Sequence, residues 1–492
     1  MWSPYIFDIA FQNWVVKNAF PGWSINPYLM LADKNTKTPV SGMNQLFTIK
    51  QNHNILKSYE IIKKDELNNL IINNKILTKV NVSDAINLIY SGNYKANKKK
   101  SFEEIKDFSS RLREYAKYYV DDIFYPPLLG SKCKKCEFSN KNNPKLQSGF
   151  ENCWKVNYPN FSLNDDHIFK IWRLGSRKAQ YLIDIGKYRL KDLANDNDLI
   201  SKIKLNERQI SQVKNTFNDL VEENIDDQLY EEIDRLNFPI HFLDFETSIS
   251  AIPFHKNKSP YEQIAFQFSC HTIFENGKIE HNEWIESRKG EFPNFNLVVE
   301  LKNILNKDNG TILRYAAHEN TVLRQIRKQM IDVSKSKYID CINWIDEITE
   351  YFVNGEKIKG SRNMVDMLDM VKKYYYHSKM EGSNSIKSIL PAIFSSSKYI
   401  KEIYSKPVGY GKNLKDVIFW KYDKDKKTAH DPYKMLPDVY EDERKTKNIT
   451  SLENMKIQDG SSALIAYAKM QYTNLDVIEK SYLLNSENYF IN

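Results

Sequence analysis

Apolar residues recur at helical spacing in the first half of the chain and in short strand-like runs in the second. Ile6, Ala10 and Trp14 share one face, which predicts an amphipathic helix over residues 5–19. Residues 28–32 form a short apolar run that predicts a strand. Further along, the spacing predicts charged helices over 61–125 and an all-helical stretch over 165–235.

The pattern changes at Phe238. An apolar run from Phe238 stops at Asp244, which predicts a buried central strand. Residues 261–271 alternate, with Ile264, Phe266, Phe268 and Cys270 predicted on one face. Asn276-Gly277 is a strong hairpin signal, and it leads into a predicted strand over 279–285.

The next elements complete a mixed α/β pattern. Residues 297–305 predict a helix, residues 311–315 a fourth strand, and residues 319–330 another helix. The order strand, hairpin, strand, helix, strand, helix is the layout of a ribonuclease-H-like fold, a mixed sheet covered by helices. Residues 395–450 are rich in Lys, Tyr and Asp and are predicted to be an insertion over the sheet.

Asp244-Phe245-Glu246 is the most informative tripeptide. Residues two apart in a strand project to the same face, so the two carboxylates would repel each other unless a cation neutralises them. Mg²⁺ and Mn²⁺ prefer such oxygen ligands, and a pair of ions can support phosphodiester cleavage. The alternative is a strand that merely ends in surface acids. The position after an apolar strand favours the metal site.

A third carboxylate is expected where the fourth strand turns into its helix. Glu319 occupies that point, and its alternative role is that of a helix N-terminal acid interacting with the helix dipole. The neighbouring His318 is interpreted as a solvated turn residue rather than a phosphate contact. Asp366 and Asp369 are interpreted as one solvated helix face, or one of them as a cap.

Composition narrows the class of protein. The chain of 492 residues has a net charge of +8, which suits a polyanionic partner and equally suits solvated lysines. No stretch approaches the roughly 18 consecutive apolar residues of a membrane span, and no secretion signal is evident. Five cysteines exclude a disulfide scaffold. We therefore expect a cytoplasmic protein without membrane contact.

Three cysteines are spaced for metal binding. Cys133 and Cys136 form a CxxC pair, and Cys153 follows 17 positions later. Three thiolates are one ligand short, so zinc with a borrowed His or water, an iron–sulfur cluster and no metal at all stay open. Cys270 and Cys341 lie in apolar segments and are interpreted as core thiols.

Several of these motifs together resemble a known bacterial family. Phe-Leu-Asp-Phe-Glu-Thr (242–247), Arg-Tyr-Ala-Ala-His-Glu-Asn-Thr (314–321) and Gly-Ser-Asn-Ser-Ile-Lys-Ser-Ile-Leu-Pro (382–391) are similar to the family of domain of unknown function 2779. Its C-terminal domain is similar to DnaQ-type exonucleases of the four-acid class. That resemblance implies that Asp244, Glu246 and Glu319 hold Mg²⁺ or Mn²⁺, with Glu319 where many members carry Asp.

The resemblance also implies a fourth acid on a late helix, in a Tyr-x-x-x-Asp motif. Tyr489 resembles the motif tyrosine, which would assist the active site, and the acid would then follow Asn492. Tyr472-Thr-Asn-Leu-Asp476 has the same spacing, which makes Asp476 a less favoured substitute.

The N-terminal part resembles the end of a RecB-type nuclease module. Asp-Ile-Ala-Phe-Gln (8–12) is similar to a late helix of that module, whose catalytic acids would lie before Met1. The resemblance implies a [4Fe–4S] cluster on Cys133, Cys136 and Cys153 with a fourth cysteine upstream. We therefore expect a chain truncated at both ends. Its expected parts are the module remnant over 1–160, a helical connector over 161–236 and a DnaQ-like exonuclease domain over 237–492.

Three functions follow as hypotheses. The first is metal-dependent, exonuclease-like hydrolysis of DNA or RNA from a strand end, weakened here because the fourth acid is missing. The second is a non-catalytic nucleic-acid-binding protein or an inactive fragment, which the net charge of +8 also suits. The third is an iron–sulfur or zinc structural protein with no nucleic-acid role.

Overall fold

The computed structural model describes most of the chain, in two compact units. The described residues are 2–52, 58–63, 76–94, 107–125, 127–140, 143, 145–218, 223–380, 382–410, 414–423, 428–435 and 460–472. The first unit comprises Met1–Leu129, Lys135–Leu163 and Ala251–Tyr261, and the second comprises Gly130–Lys134, Asn164–Ser250 and Glu262–Asn492. In the described part of the chain, no helix is long and apolar enough to cross a membrane.

Among its described residues, the first unit combines four α-helices with two small antiparallel sheets. Its strands are β1 (Tyr28–Ala32), β2 (Phe47–Asn52), β3 (Ser58–Lys63) and β4 (Leu77–Asn81), and its helices are α1 (Ser3–Ala19), α2 (Ser83–Tyr90), α3 (Phe108–Val120) and α4 (Gly149–Asn157). Strand β1 pairs with β4, and β2 pairs with β3. The predicted first helix and first strand are confirmed, whereas the helical region expected over 61–125 also contains strands.

A small apolar core holds the helices of this unit together. Ile6 and Ala10 of α1 pack against Ile86 of α2 and Phe108 of α3. The Asn13 side-chain amide donates a hydrogen bond to the Tyr90 hydroxyl at 2.8 Å. The 3.6-residue repeat of α1 therefore produces the buried face that the sequence predicts.

The second unit begins with a bundle of short helices. These are α5 (Ser176–Asp184), α6 (Lys191–Ala194), α7 (Asn197–Lys202), α8 (Glu207–Asn218) and, after strand β5 (Glu223–Ile225), α9 (Gln228–Asp234). The predicted helical stretch is thus confirmed, apart from β5. That strand exists because it pairs antiparallel with a later strand at Tyr375–His377.

A five-stranded mixed sheet forms the centre of the second unit. Its strands are β6 (Ile240–Ile249), β7 (Gln263–Ile273), β8 (Ile279–Ile285), β9 (Ile312–Arg314) and β12 (Val365–Asp366), and a separate hairpin of β10 (Glu350–Val353) and β11 (Glu356–Lys359) precedes β12. The order across the sheet is β12-β9-β6-β7-β8. Strand β7 is antiparallel to both neighbours, whereas β9 and β12 run parallel to β6.

Three helices cover one face of this sheet. They are α10 (Asn294–Leu305), α11 (His318–Ser334) and α12 (Ile339–Ile348). Leu243, Phe245, Phe268 and Cys270 point into the core that these helices close. Cys270 and Cys341 are buried there, which confirms their interpretation as core thiols. The chain is therefore a mixed α/β protein, as the alternation of strands and helices predicts.

The remaining elements follow the sheet in sequence. They are α13 (Met367–Tyr374), β13 (Tyr375–His377), α14 (Ile386–Ser396), α15 (Lys398–Tyr404), β14 (Val408–Tyr410), β15 (Leu414–Val417), β16 (Tyr422–Asp423), β17 (Thr428–Ala429) and α16 (Gly460–Tyr472). The described part of the expected insertion over 395–450 contains α15, a 3₁₀ turn over Pro432–Met435 and two short antiparallel strand pairs, β14 with β15 and β16 with β17.

A β-bulge interrupts the predicted alternation of β7. The register steps from Glu246 opposite Gln267 to Thr247 opposite Ala265, so Phe266 is an extra residue. Ala265 joins the core cluster of Phe268, while Phe266 stacks on Tyr467 of α16 with ring centroids 4.1 Å apart. The prediction that Phe266 shares a face with Phe268 is therefore wrong, because alternation alone contains no signal for a bulge.

A buried polar cluster fixes the start of β6. His241 contacts the Thr272 hydroxyl through Nδ1 and the Asp308 carboxylate through Nε2, both at 2.9 Å. Arg362 approaches the same carboxylate at 3.1 Å and donates to the carbonyl of Gly310. These contacts join β6, β7 and the loop before β9, and they satisfy the polar groups that the fold buries here.

Candidate functional site

Asp244 and Glu246 lie on the same face of β6. They stand opposite Ser269 and Gln267 of β7, and the face is the one away from Leu243 and Phe245. Strand β6 continues to Ile249, beyond the predicted end at Asp244, because β7 keeps pairing with it. The parallel neighbour β9 pairs only with the start of β6, so the acids come just after that contact ends.

Glu319 lies in the first turn of α11, directly after β9, where the sequence predicts it. Only 3% of the residue is exposed. Its position in the first turn also agrees with the alternative interpretation, an acid that interacts with the helix dipole. Its Oε2 is buried and has no hydrogen-bond partner among the described residues. Burial and the negative charge of Asp244 raise the pKa of Glu319 to about 8. The two carboxyl groups are therefore close enough to interact.

Asp244 is exposed to solvent, yet the surrounding protein raises the pKa of its carboxyl group. The charge of His318 acts in the opposite direction on the Asp244 carboxyl. A group that touches water while protein atoms crowd it is typical of the floor of a concave surface. Asp244, Glu319 and His318 thus form one electrostatic cluster.

His318 is the first residue of α11 and lies beside β6. Its Nε2 is 3.4 Å from the hydroxyl of Thr247. Burial lowers the pKa of the imidazole, and the charge of Asp244 partly offsets that effect. The residue is exposed, as expected for a turn, but the structure also places it next to the acidic cluster.

A buried ion pair holds the turn that presents Glu319. Arg314 donates to Asp366 at 2.9 Å, and the backbone N–H of Ala316 donates to the other oxygen of Asp366 at 2.9 Å. Ala316 has a φ of +70°, which a residue with a Cβ rarely adopts. Asp366 also caps α13 by accepting from the N–H of Leu368, so the cap interpretation is confirmed for Asp366.

The segment that carries this cluster also carries the family motifs. Residues 241–385 match the family model described as "Domain of unknown function (DUF2779)". The match supports the DUF2779 resemblance drawn from the motifs at 242–247 and 314–321. A search of curated proteins and a search of solved structures gave no match.

The chemistry of the DUF2779 segment suits a hard cation in part. Carboxylate oxygens are the ligands that Mg²⁺ and Mn²⁺ prefer, and the unpartnered oxygen of Glu319 beside Asp244 offers such a ligand. Among the described residues, however, no three His, Cys, Asp or Glu side chains are grouped closely enough to hold an ion. Tyr489 and Asp476, which would complete the site, lie outside those residues.

The helix α16 lies over the sheet of the second unit. Its Tyr467 stacks on Phe266, and Gln471 accepts from the N–H of Gly290 at 2.9 Å. Gln471 also donates to the carbonyl of Glu286 at 3.1 Å. These contacts fix α16 against β7 and the loop after β8.

The metal-spaced cysteines lie in separate local structures. Cys133 is part of a 3₁₀ turn over Ser131–Lys135, and its Sγ accepts from the N–H of Gly130 at 3.4 Å. Cys153 lies in α4 and, like Cys136, is half-buried. The [4Fe–4S] cluster implied by the family resemblance stays a prediction.

Proposed function

We propose that residues 237–492 form a ribonuclease-H-like domain that hydrolyses phosphodiester bonds of DNA or RNA with Mg²⁺ or Mn²⁺. Asp244, Glu246 and Glu319 would hold the ions, and Tyr489 would assist the site. The observation that carries the proposal is the buried Oε2 of Glu319, which has no hydrogen-bond partner among the described residues. The strand order, with β9 and β12 parallel to β6, supports the fold.

Burying a carboxyl group without partners is costly, and a second carboxylate nearby increases the cost of ionising it. Most buried acids avoid this cost by hydrogen bonding or ion pairing. Glu319 avoids this cost only in part. Arg314 lowers its pKa somewhat, but its Oε2 has no hydrogen-bond partner among the described residues. A divalent cation would allow Glu319 and Asp244 to ionise together, so a metal site would account for the buried carboxyl group of Glu319.

The chain's own residues would position the substrate and the acids. When bound, the divalent ions supply charge that activates a water and stabilises the leaving oxygen. Arg314 and Asp366 hold the turn that presents Glu319. His318, whose pKa burial lowers, would be largely neutral at pH 7 and could accept a proton near Asp244.

The test is cleavage of end-labelled single-stranded DNA and RNA by the purified chain with Mn²⁺. We expect strand shortening that Asp244→Asn lowers by at least about 100-fold, the upper range for a disrupted metal environment. Asp369→Asn is the matched control, since Asp369 lies on α13 outside the cluster and pairs with Lys372. Equal activity in wild type and Asp244→Asn would disprove the proposal.

A second candidate is non-catalytic binding of nucleic acid. The lack of a three-ligand group among the described residues favours it, together with the net charge of +8. This candidate predicts binding that weakens steeply with salt, without turnover. Binding that does not depend on salt would exclude it.

A further inference from the structure

The β10–β11 hairpin stands out beside the acidic cluster. It turns at Asn354-Gly355, whose φ angles are +51° and +87°. Both residues therefore adopt the left-handed conformation that a tight two-residue hairpin turn requires. Every residue from Phe352 to Lys359 is exposed, so the hairpin projects into solvent.

The base of this hairpin is fixed to the residue that follows Glu319. The Asn320 side chain donates to the carbonyl of Glu350 at 2.9 Å and accepts from its N–H at 2.8 Å. The Glu350 carboxylate also pairs with Arg314 at 3.3 Å. The hairpin is therefore attached to the first turn of α11 and to the ion pair that orients it.

The two faces of the hairpin differ. Tyr351 lies under the guanidinium of Arg324 of α11, which is 4.1 Å from the ring centroid. Phe352 projects to the opposite face, where Lys357 stands directly across from it. Phe352 is 70% exposed. The ring and the lysine therefore share a face that does not pack on α11.

One exposed phenylalanine is ordinary on a protein surface. This one lies on a rigidly based hairpin, across from Lys357, whose Nζ pairs with the Glu350 carboxylate at 2.8 Å, and Lys359 lies on the same face. An aromatic ring with adjacent cations matches the chemistry of single-stranded nucleic acid, whose bases stack and whose phosphates attract lysine. A strand bound at this hairpin would lie near the acidic cluster of Asp244, Glu319 and His318.

We propose that the face of the hairpin carrying Phe352, Lys357 and Lys359 binds single-stranded nucleic acid. Phe352 stacks on a base, and Lys359 contacts the backbone phosphates. The inference rests on the proposed function, because the strand is taken to lead from the hairpin to Asp244 and Glu319. It adds a substrate-contacting element and a preference for unpaired strands.

The test measures binding in the Asp244→Asn background, where cleavage does not interfere. Short single-stranded DNA and RNA oligonucleotides carrying 2-aminopurine report both affinity and base stacking, through fluorescence quenching. We expect Phe352→Ala to raise Kd by about 5- to 100-fold and to abolish quenching at one nucleotide position. Phe352→Trp retains a stacking ring and should preserve both signals.

Tyr399→Ala is the matched control, because Tyr399 is another strongly exposed aromatic residue, on α15. It should leave Kd and quenching unchanged. Unchanged binding in Phe352→Ala overturns the inference. If that variant instead alters only the sedimentation of the protein, Phe352 contacts protein, and the inference is again overturned.

The two proposals fail separately. Cleavage by wild type together with unaffected binding by Phe352→Ala would remove the hairpin inference and leave the nuclease proposal intact. Binding that depends on Phe352 without cleavage by wild type would do the reverse. A chain that binds no oligonucleotide even at low salt would remove the hairpin inference, while the cleavage assay decides the other.

Discussion

Asp308 and Glu319, two acids near strand β6, differ in how their carboxyl groups are stabilised. Near the start of β6, the Asp308 carboxylate accepts from Gly310 at 2.8 Å and contacts His241 and Arg362. Burial alone would raise the pKa of Asp308, but these hydrogen bonds and charges hold it below its usual value. Beyond Asp244, Glu319 is buried with an unpartnered oxygen, and its pKa is raised to about 8.

The difference lies in how far the charge of each carboxylate is satisfied by its neighbours. Asp308 has partners for its charge, so its ionised form stabilises the fold. Glu319 has fewer such partners, and its Oε2 has no hydrogen bond among the described residues, so its protonated form is favoured. Positions where local rules are broken in this way are often functional. The predictions below test whether the contrast is real.

Removing the carboxylate of Asp308 should strongly lower the free energy of unfolding. Asp308→Ala should lower the free energy of unfolding by about 3 kcal/mol, because it leaves Nε2 of the buried His241 without a partner and removes the counter-charge of Arg362, which keeps the Gly310 carbonyl. Urea unfolding followed by circular dichroism measures this. Asp340→Ala, which removes an exposed partner of Lys302, is the control and should cost less than about 1 kcal/mol. Equal losses would erase the contrast.

Glu319 should make the free energy of unfolding depend on pH. With a pKa near 8 when folded and 4.5 when unfolded, Glu319 keeps its proton only in the folded state between these values. The contribution of Glu319 to stability is then greatest below about pH 4.5 and falls as pH rises to 8. Without metal ions, Glu319→Gln should gain roughly 4 kcal/mol over wild type at pH 8 compared with pH 4.5.

The matched measurement is unfolding of both chains in EDTA across that pH range. The free energy of unfolding of Glu319→Gln should lack the part of the pH dependence that Glu319 contributes. Parallel curves for the two proteins would mean that Glu319 ionises normally in the folded state.

Divalent cations should stabilise the protein through Asp244 and not through the His241 cluster. Mn²⁺ at ten times its Kd should stabilise wild type by about 1.4 kcal/mol, since it binds the folded state. Asp244→Asn should abolish the gain. Thr272→Val, altered at the His241 cluster, should keep it. Thermal unfolding with and without EDTA reads the difference, and a gain that survives in Asp244→Asn would place the cation elsewhere.

The smallest effects come from two threonines that contact histidines. Thr272→Val should cost about 1 kcal/mol, because it removes a buried 2.9 Å contact with His241. Thr247→Val should cost less than about 0.5 kcal/mol, since its contact with His318 is 3.4 Å long and exposed. Chemical denaturation of both variants compares them directly. A larger loss for Thr247→Val would reverse the comparison.

Sequence patterns predict the strands and helices of the second unit well, because these elements follow apolar periodicity. The helices at 297–305 and 319–330 and the strand at 279–285 are found with small shifts of their ends. The hairpin at Asn276-Gly277 is also present, with Gly277 at a φ of +79°. Each of these signals is local, so a single sequence is sufficient to predict it.

The site is only partly predictable. Asp244 and Glu319 stand out because they follow apolar strands, but the pairing of Arg314 with Asp366 joins residues 52 positions apart. No local pattern predicts such a contact, or the burial of Glu319. The only available signal is an arginine at the end of a strand that is otherwise wholly apolar, which needs a buried partner.

The extra residue in β7 has a consequence for sequence change. Phe266 fits no position in a regular ladder, yet its ring is the surface on which Tyr467 rests. Deleting Phe266 would remove the bulge from β7. It would also remove the ring on which Tyr467 of α16 stacks. A deletion that looks harmless in the strand should therefore release the C-terminal helix, which limited proteolysis near residue 460 would detect.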